Sequence, residues 1–150
     1  MTLKMKLEVV PIPVTDVDRA KAFYVDQVGF NLDHDVQPGN GMRVVQLTPP
    51  GSACSIVIGT GMFDHADLPP GAVKGLHLVV GDVAEARAAL VSRGVTVSEV
   101  QDHGHGVKYA YFSDPDGNSW ALQEMSWRSA EFSNSTEEPD GAEGGEIGGP

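Results

Sequence analysis

Few side chains in this sequence are equipped for chemistry, and the first is His77, an imidazole inside the apolar run Leu76–Val80. Placed there, it can act as a general base or anchor a ligand oxygen. It can equally be a half-buried strand residue satisfied by a hydroxyl such as that of Tyr111. A second group is Asp102-His103-Gly104-His105-Gly106. Its alternate histidines can bind metal or shuttle protons, but two glycines make the segment mobile and favour a plain surface loop. His34 and His65 sit in polar connectors and read as solvated. Arg43, Tyr109 and Tyr111 supply a guanidinium and two phenols, which suit a planar or anionic compound if they share a face with the ligand. Cys54 is the sole cysteine, which excludes an internal disulfide and any multi-cysteine metal cluster. No Ser-His-Asp relay can be assembled from spacing.

The elements that must position these groups repeat. Val9–Asp16 (VVPIPVTD) and Gly75–Asp82 (GLHLVVGD) lie 66 residues apart, and each is an apolar run followed by a helical pattern. Asp16 and Asp82 stand as N-caps, and Asp82 with Glu85 has capping-box spacing. Gly29 and Gly94 are placed as helix stops, with strands starting at Phe30 and Val95. Met42–Leu47, a turn at Thr48–Gly51 and Ala53–Ile58 then match Val107–Phe112, the turn Asp114–Gly117 and Ser119–Glu124. Pro-Asp-Gly between two β-rich runs is a strong turn signal. Two copies of strand–helix–strand–strand–strand follow. Phe23 and Tyr24 are expected in the core, with Trp120 and Leu122 beneath the helices and Trp127 over an edge or a dimer seam.

Charge narrows the partners. The 150 residues carry a formal charge of -11, of which -6 falls between Glu131 and Pro150, a stretch without Lys or Arg. With five glycines, two prolines and three apolar residues there, residues 128–150 are expected to be a disordered acidic tail. Residues 1–127 are then one domain, with modules at about 7–60 and 73–125. Acidity argues against a nucleic-acid binder or a polybasic membrane contact. No apolar run is long enough to span a bilayer, and the start lacks the pattern of a signal peptide. A cytoplasmic protein is expected.

Val14-Thr15-Asp16 leading into Arg19-Ala20-Lys21-Ala22-Phe23-Tyr24, then Gly29-Phe30, and the late Phe112-Ser113-Asp114-Pro115-Asp116-Gly117-Asn118 carry a resemblance. Over residues 7–125 the chain resembles the vicinal oxygen chelate superfamily, which includes glyoxalase I, bleomycin-resistance proteins, fosfomycin-resistance enzymes and extradiol dioxygenases. The resemblance implies an α+β fold of two tandem βαβββ modules, their mixed sheet curled around a ligand cleft that dimerisation often completes. A homodimer is the expected assembly. It also implies where a metal would be held: by a first-strand ligand seven residues before each capping aspartate and a last-strand ligand four residues after each turn glycine. Those positions are Val9 and Gly75, and Ser55 and Ala121. None is a strong donor. His77 and Gln123 each lie two residues further along, hence on the same strand face, whereas Glu124 has the opposite parity. A divalent metal is disfavoured, and no cofactor is expected. In this fold the segment around His103 often closes the cleft, which would make it a gate.

Three functions remain in view. The first is a metal-independent binding protein of the bleomycin-resistance type, its ligand met by Arg43, Ser55, His77, Tyr109, Tyr111, Ala121 and Gln123. The second is a lyase, isomerase or epimerase of the same fold, with His77 as its base or a displaced metal site. The third is an interaction module whose acidic tail engages a partner. The residues alone leave open whether the protein is an enzyme.

Overall fold

A computed structural model describes residues 1–62 and 68–133. His65 and most of the expected tail, from 134 onward, lie outside the described residues. The first module runs β1 (Val9–Pro11), α1 (Val17–Ala22), β2 (Asn31–Gly39), β3 (Met42–Thr48) and β4 (Ser55–Thr60). The second runs β5 (Leu76–Val79), α2 (Val83–Ser92), β6 (Gln101–Asp102), β7 (Val107–Ser113) and β8 (Ser119–Met125). They build two four-stranded mixed sheets, ordered β1-β4-β3-β2 and β5-β8-β7-β6. In each, the first strand lies parallel to the last and the remaining pairs are antiparallel. The fold is α+β, with two modules.

Local chemistry explains the helix boundaries. The Asp16 and Asp82 carboxylates accept the amide hydrogens of Arg19 and Glu85, each at 3.0 Å, which satisfies a free donor of the first turn. After Ala22 the helix widens into a π turn, Phe23–Val28. There the Tyr24 carbonyl accepts from both Gly29 and Phe30 (2.9 and 2.8 Å). Consecutive Phe23 and Tyr24 are both buried in this wider turn. Gly29 closes it at φ 97°, a left-handed conformation that suits glycine.

The strand expected from Val95 is largely absent, and β6 keeps two residues. Arg87 takes the carbonyls of Ser98 (2.7 Å) and Val97 (3.3 Å), while the Ser98 hydroxyl accepts the Tyr111 amide (2.9 Å). Side chains here occupy backbone groups that a ladder would have used.

One side of each sheet is apolar and joins a common core: Val45, Leu47, Ile56 and Ile58 from the first, Ala110, Phe112, Trp120 and Leu122 from the second. The modules are stapled at the Asp114–Asn118 turn. Asn118, fully buried, donates to the Pro13 carbonyl (2.9 Å) and to Asp114 (2.8 Å), and accepts the Val73 amide (3.1 Å). Tyr24 donates to Asp114 at 2.8 Å and accepts from Trp120 Nε1 at 3.0 Å. Burial first, and then the Asp114 charge, push the Tyr24 phenol above its ordinary range, so it stays a neutral donor. Gly71 belongs to the same joint, at φ 82° and so close to Asp116 that an added Cβ would strike that residue's carbonyl.

The described chain continues past Trp127. Ser126–Phe132 form a 3₁₀ helix, and Phe132 packs over Gly81, just before the cap of α2. Trp127 itself is 66% exposed. Among the described residues, no helix is long and apolar enough to cross a membrane.

Candidate ligand-binding site

Alternation along each strand sends one set of side chains into the core and the next to the opposite face. On the second sheet that opposite face carries His77, paired with Ala121, then Tyr109, paired with Gln123, and Tyr111, also paired with Ala121. The structure therefore gathers five of the sequence-derived residues into one patch. Tyr109 is its centre. Its ring meets His77 edge-on at 5.8 Å and lies parallel to Tyr111, 6.0 Å away between centroids. His103 completes the group, its ring 5.0 Å from Tyr109. Sequence left His103 on a surface loop. The signal that places it is short-range: its amide donates to the Val107 carbonyl at 2.9 Å, folding the loop back beside β7.

Polar groups edge the rings. Gln123 donates to the Tyr109 phenol oxygen at 2.9 Å, which leaves the phenol proton available to a ligand. His77 Nδ1 lies 2.7 Å from the Gly75 carbonyl. A carbonyl only accepts, so that contact assigns the proton to Nδ1 in the neutral ring and leaves the Nε2 lone pair free. His77 is exposed, and Ala121 beneath it is buried and small. A cavity of about 410 Å³ adjoins His77, walled by the Pro49–Ser52 turn and by Arg128, Glu131 and Phe132. Glu131 is the carboxylate of that cavity, but Arg128 holds both its oxygens at 2.8 and 2.9 Å, so it does not orient His77.

Ser55 lies on the other sheet. It is buried, and its hydroxyl is 2.6 Å from that of Thr48, which also bonds to Asp33. Gln46, opposite Val57, shares this face. Thr48 and Gln46 escaped the sequence reading, although counting outward along the Ser55 hairpin would have reached them. The cavity beside His77 takes no side chain from this group, nor does the groove of about 650 Å³ beyond Tyr111. Within one chain the ring patch is an open shelf.

Arg43 joins neither group. The 66-residue repeat matches it to Tyr109, yet it projects from the helix side of its sheet, with Val45 and Leu47. The reason is register. Val57 and Gln123 are 66 residues apart, but their partners Gln46 and Tyr109 are only 63 apart. A shift of three residues reverses the face. Arg43 instead grips Asp35 with two hydrogen bonds (3.0 and 2.8 Å) and Asp18 of α1 with a third (2.8 Å), while Lys21 reaches Asp35 at 2.8 Å. Arg43, and then Lys21, hold the Asp35 carboxyl well below the usual carboxylate range, and Asp35, then Asp18, raise the guanidinium in turn. These contacts tie α1 to β2 and β3.

An Asp35→Asn variant is therefore expected to lose about 1 kcal/mol of stability at pH 7. The folded pKa is depressed, so the contribution is complete above the unfolded value of about 4 and fades as the pH falls toward the folded one. Urea titrations of both proteins should converge in strongly acid solution. A gap that persists there would contradict the assignment.

The comparisons with known proteins fit this arrangement. Residues 6–122 match the family model of the glyoxalase/bleomycin resistance protein/dioxygenase superfamily. The chain belongs to that superfamily. Among solved structures it is similar to TnmS3, an antibiotic-binding protein from Streptomyces sp. CB03234, at 37% identity and TM-score 0.72, covering 83% of this chain and 99% of that one. A glyoxalase/bleomycin resistance protein from the same Streptomyces strain is 40% identical, with TM-score 0.66 and coverage of 78% and 98%. A superfamily member from Sphaerobacter thermophilus DSM 20745 is 33% identical, with TM-score 0.70 and coverage of 81% and 98%. No curated protein sequence matches the chain significantly.

Metal-dependent members of this superfamily set the test for a divalent ion. β1 brings Val9 opposite Ser55, and β5 brings His77 opposite Ala121. Among the described residues, no group of three His, Cys, Asp or Glu side chains converges. One imidazole and one serine do not make a zinc or iron site, which needs about three protein ligands. The donor set does not fit the metal.

Proposed function

We propose that this superfamily member is a metal-independent binding protein that holds a flat organic molecule against the ring shelf of the second sheet. The observation that carries the reading is the cluster of His77, His103, Tyr109 and Tyr111 on one face, bordered by a free imidazole nitrogen and a free phenol proton. Such rings favour planar ligands, and the two polar groups fix orientation. The antibiotic-binding description of the similar Streptomyces protein supports a small-molecule ligand. Since one chain leaves the shelf open, the assembly proposed is a homodimer in which the Ser55, Thr48 and Gln46 face of one copy closes over the rings of the other. A cytoplasmic setting agrees with a single free cysteine.

A second reading rests on the free Nε2 of His77, which is placed to take a proton in a lyase, isomerase or epimerase reaction. Among the described residues no carboxylate orients His77, which favours binding over turnover. A thermal-shift screen of planar aromatic compounds tests both readings. A ligand present at 100 times its dissociation constant is expected to stabilise the protein by about 2.7 kcal/mol. Conversion of that ligand, abolished by His77→Ala with the fold intact, would move the protein to the second reading. Stoichiometric metal in the purified protein, lost in His77→Ala, would overturn metal independence.

A further inference from the structure

Three side chains of the first sheet form a relay of hydrogen bonds, and its direction can be read. Thr48 Oγ1 meets a carboxylate oxygen of Asp33 on one side and, at 2.6 Å, Ser55 Oγ on the other. A threonine hydroxyl owns one proton, and a carboxylate only accepts. Thr48 therefore donates to Asp33, and Ser55 is left to donate to Thr48. With its proton spent, the Ser55 oxygen has only lone pairs for anything else. Ser55 is 6% exposed, and among the described residues no group donates to that oxygen.

The strand that carries Asp33 is irregular at this point. Leu32 lies opposite Leu47 and His34 opposite Gln46, so Asp33 is an extra residue, the mark of a β-bulge. A bulge re-aims side chains, and here it sets a carboxylate beside Thr48. Among the described residues, Thr48 is the one side chain that bonds to Asp33. β4 turns Ile56 and Ile58 into the core and Ser55 to the opposite face, in register with Val9. The relay thus ends on the face that the ligand is proposed to meet.

We propose that Asp33 is a positioning residue for the ligand: acting through Thr48, it keeps the Ser55 proton turned inward, so that Ser55 meets the ligand as an acceptor and selects a flat molecule with a hydroxyl or amino donor at that edge. A ligand that offers an ether or carbonyl oxygen there sets lone pair against lone pair and leaves the Ser55 oxygen without a donor. The ring shelf does not discriminate in this way, because the Tyr109 phenol offers a proton and the His77 imidazole a lone pair. This deepens the binding reading above and rests on it.

Two probes on one ring system test it: 2,6-dihydroxynaphthalene, which donates, and 2,6-dimethoxynaphthalene, which cannot. Each presents the same group whichever way round it lies. Calorimetric titration gives the ratio of their dissociation constants, diether over diol. A general loosening of the site changes that ratio little, because it weakens both probes. In the full chain the ratio is expected to be at least about tenfold. Thr48→Val removes the acceptor of the Ser55 proton, and Asp33→Asn lets an amide donate into the relay. Both release that proton toward the ligand, so the ratio should fall at least about fivefold in each. Thr48→Ser keeps the relay and should keep the ratio. A ratio near one in the full chain, or one unchanged in Thr48→Val and Asp33→Asn, overturns the relay; the shelf reading stands if Tyr109→Ala still weakens both probes. If neither probe binds at millimolar concentration, the shelf reading fails and the relay falls with it.

Discussion

Replacing Asn118 with alanine will lower the stability of this protein by about 2–3 kcal/mol, at the upper end of the usual range for a single substitution. The side chain is fully buried and serves three partners at once: the Pro13 carbonyl, the Val73 amide and the Asp114 carboxylate. Alanine leaves the half-buried Val73 amide without a partner, at about 1–3 kcal/mol, and leaves the Pro13 carbonyl with only the longer bond from the Gly71 amide (3.3 Å). It also removes one of the donors that keep Asp114 satisfied beside Tyr24. Because Pro13 belongs to the first module and Asn118 to the second, the loss falls on the joint between them. Denaturant unfolding should show the drop without loss of secondary structure in water. A change below about 1 kcal/mol would mean that water replaces the amide, and that the staple is dispensable.

Tyr109→Ala is expected to weaken binding of a planar ligand by about 10- to 100-fold, or 1.4–2.8 kcal/mol. Tyr109 is the one ring in contact with all three others, and it is also the partner of Gln123. Its removal opens the middle of the shelf and frees a buried-side amide at the same time. Tyr109→Phe should keep most of the ring contribution and lose only the hydrogen bond. Arg43→Ala is the control, since it should lower stability and leave affinity alone. Calorimetric titration of each variant with a compound identified by the thermal-shift screen decides the matter. Undiminished binding in Tyr109→Ala would place the ligand elsewhere.

Much of the fold is legible in the chain because its signals are local. A capping aspartate, a stop glycine and a period-two run each act within a few residues, and apart from the strand expected from Val95 each appears where the spacing puts it. Register is different. The 66-residue repeat holds for β4 and β8, yet slips by three residues in the neighbouring strands, because the two hairpins close at different lengths. That slip moves Arg43 to the helix side and leaves Tyr109 on the shelf. The motif Asp114–Asn118 reads as a turn from its proline and glycine, but its work as a staple appears only when Pro13 and Tyr24 arrive from about a hundred residues away. His103 joins the rings through a loop whose course no periodicity reports.

The unequal hairpins have a consequence for any bound molecule. Had the two registers agreed, the modules would offer related chemistry on both faces, and a ligand could lie either way round. Instead one face presents hydroxyl and amide groups at Thr48, Ser55 and Gln46, and the other presents rings. A compound with its own twofold symmetry would lose that symmetry on binding. Its equivalent halves would become distinguishable, each reporting a different module, as separate resonances in a spectrum of the complex.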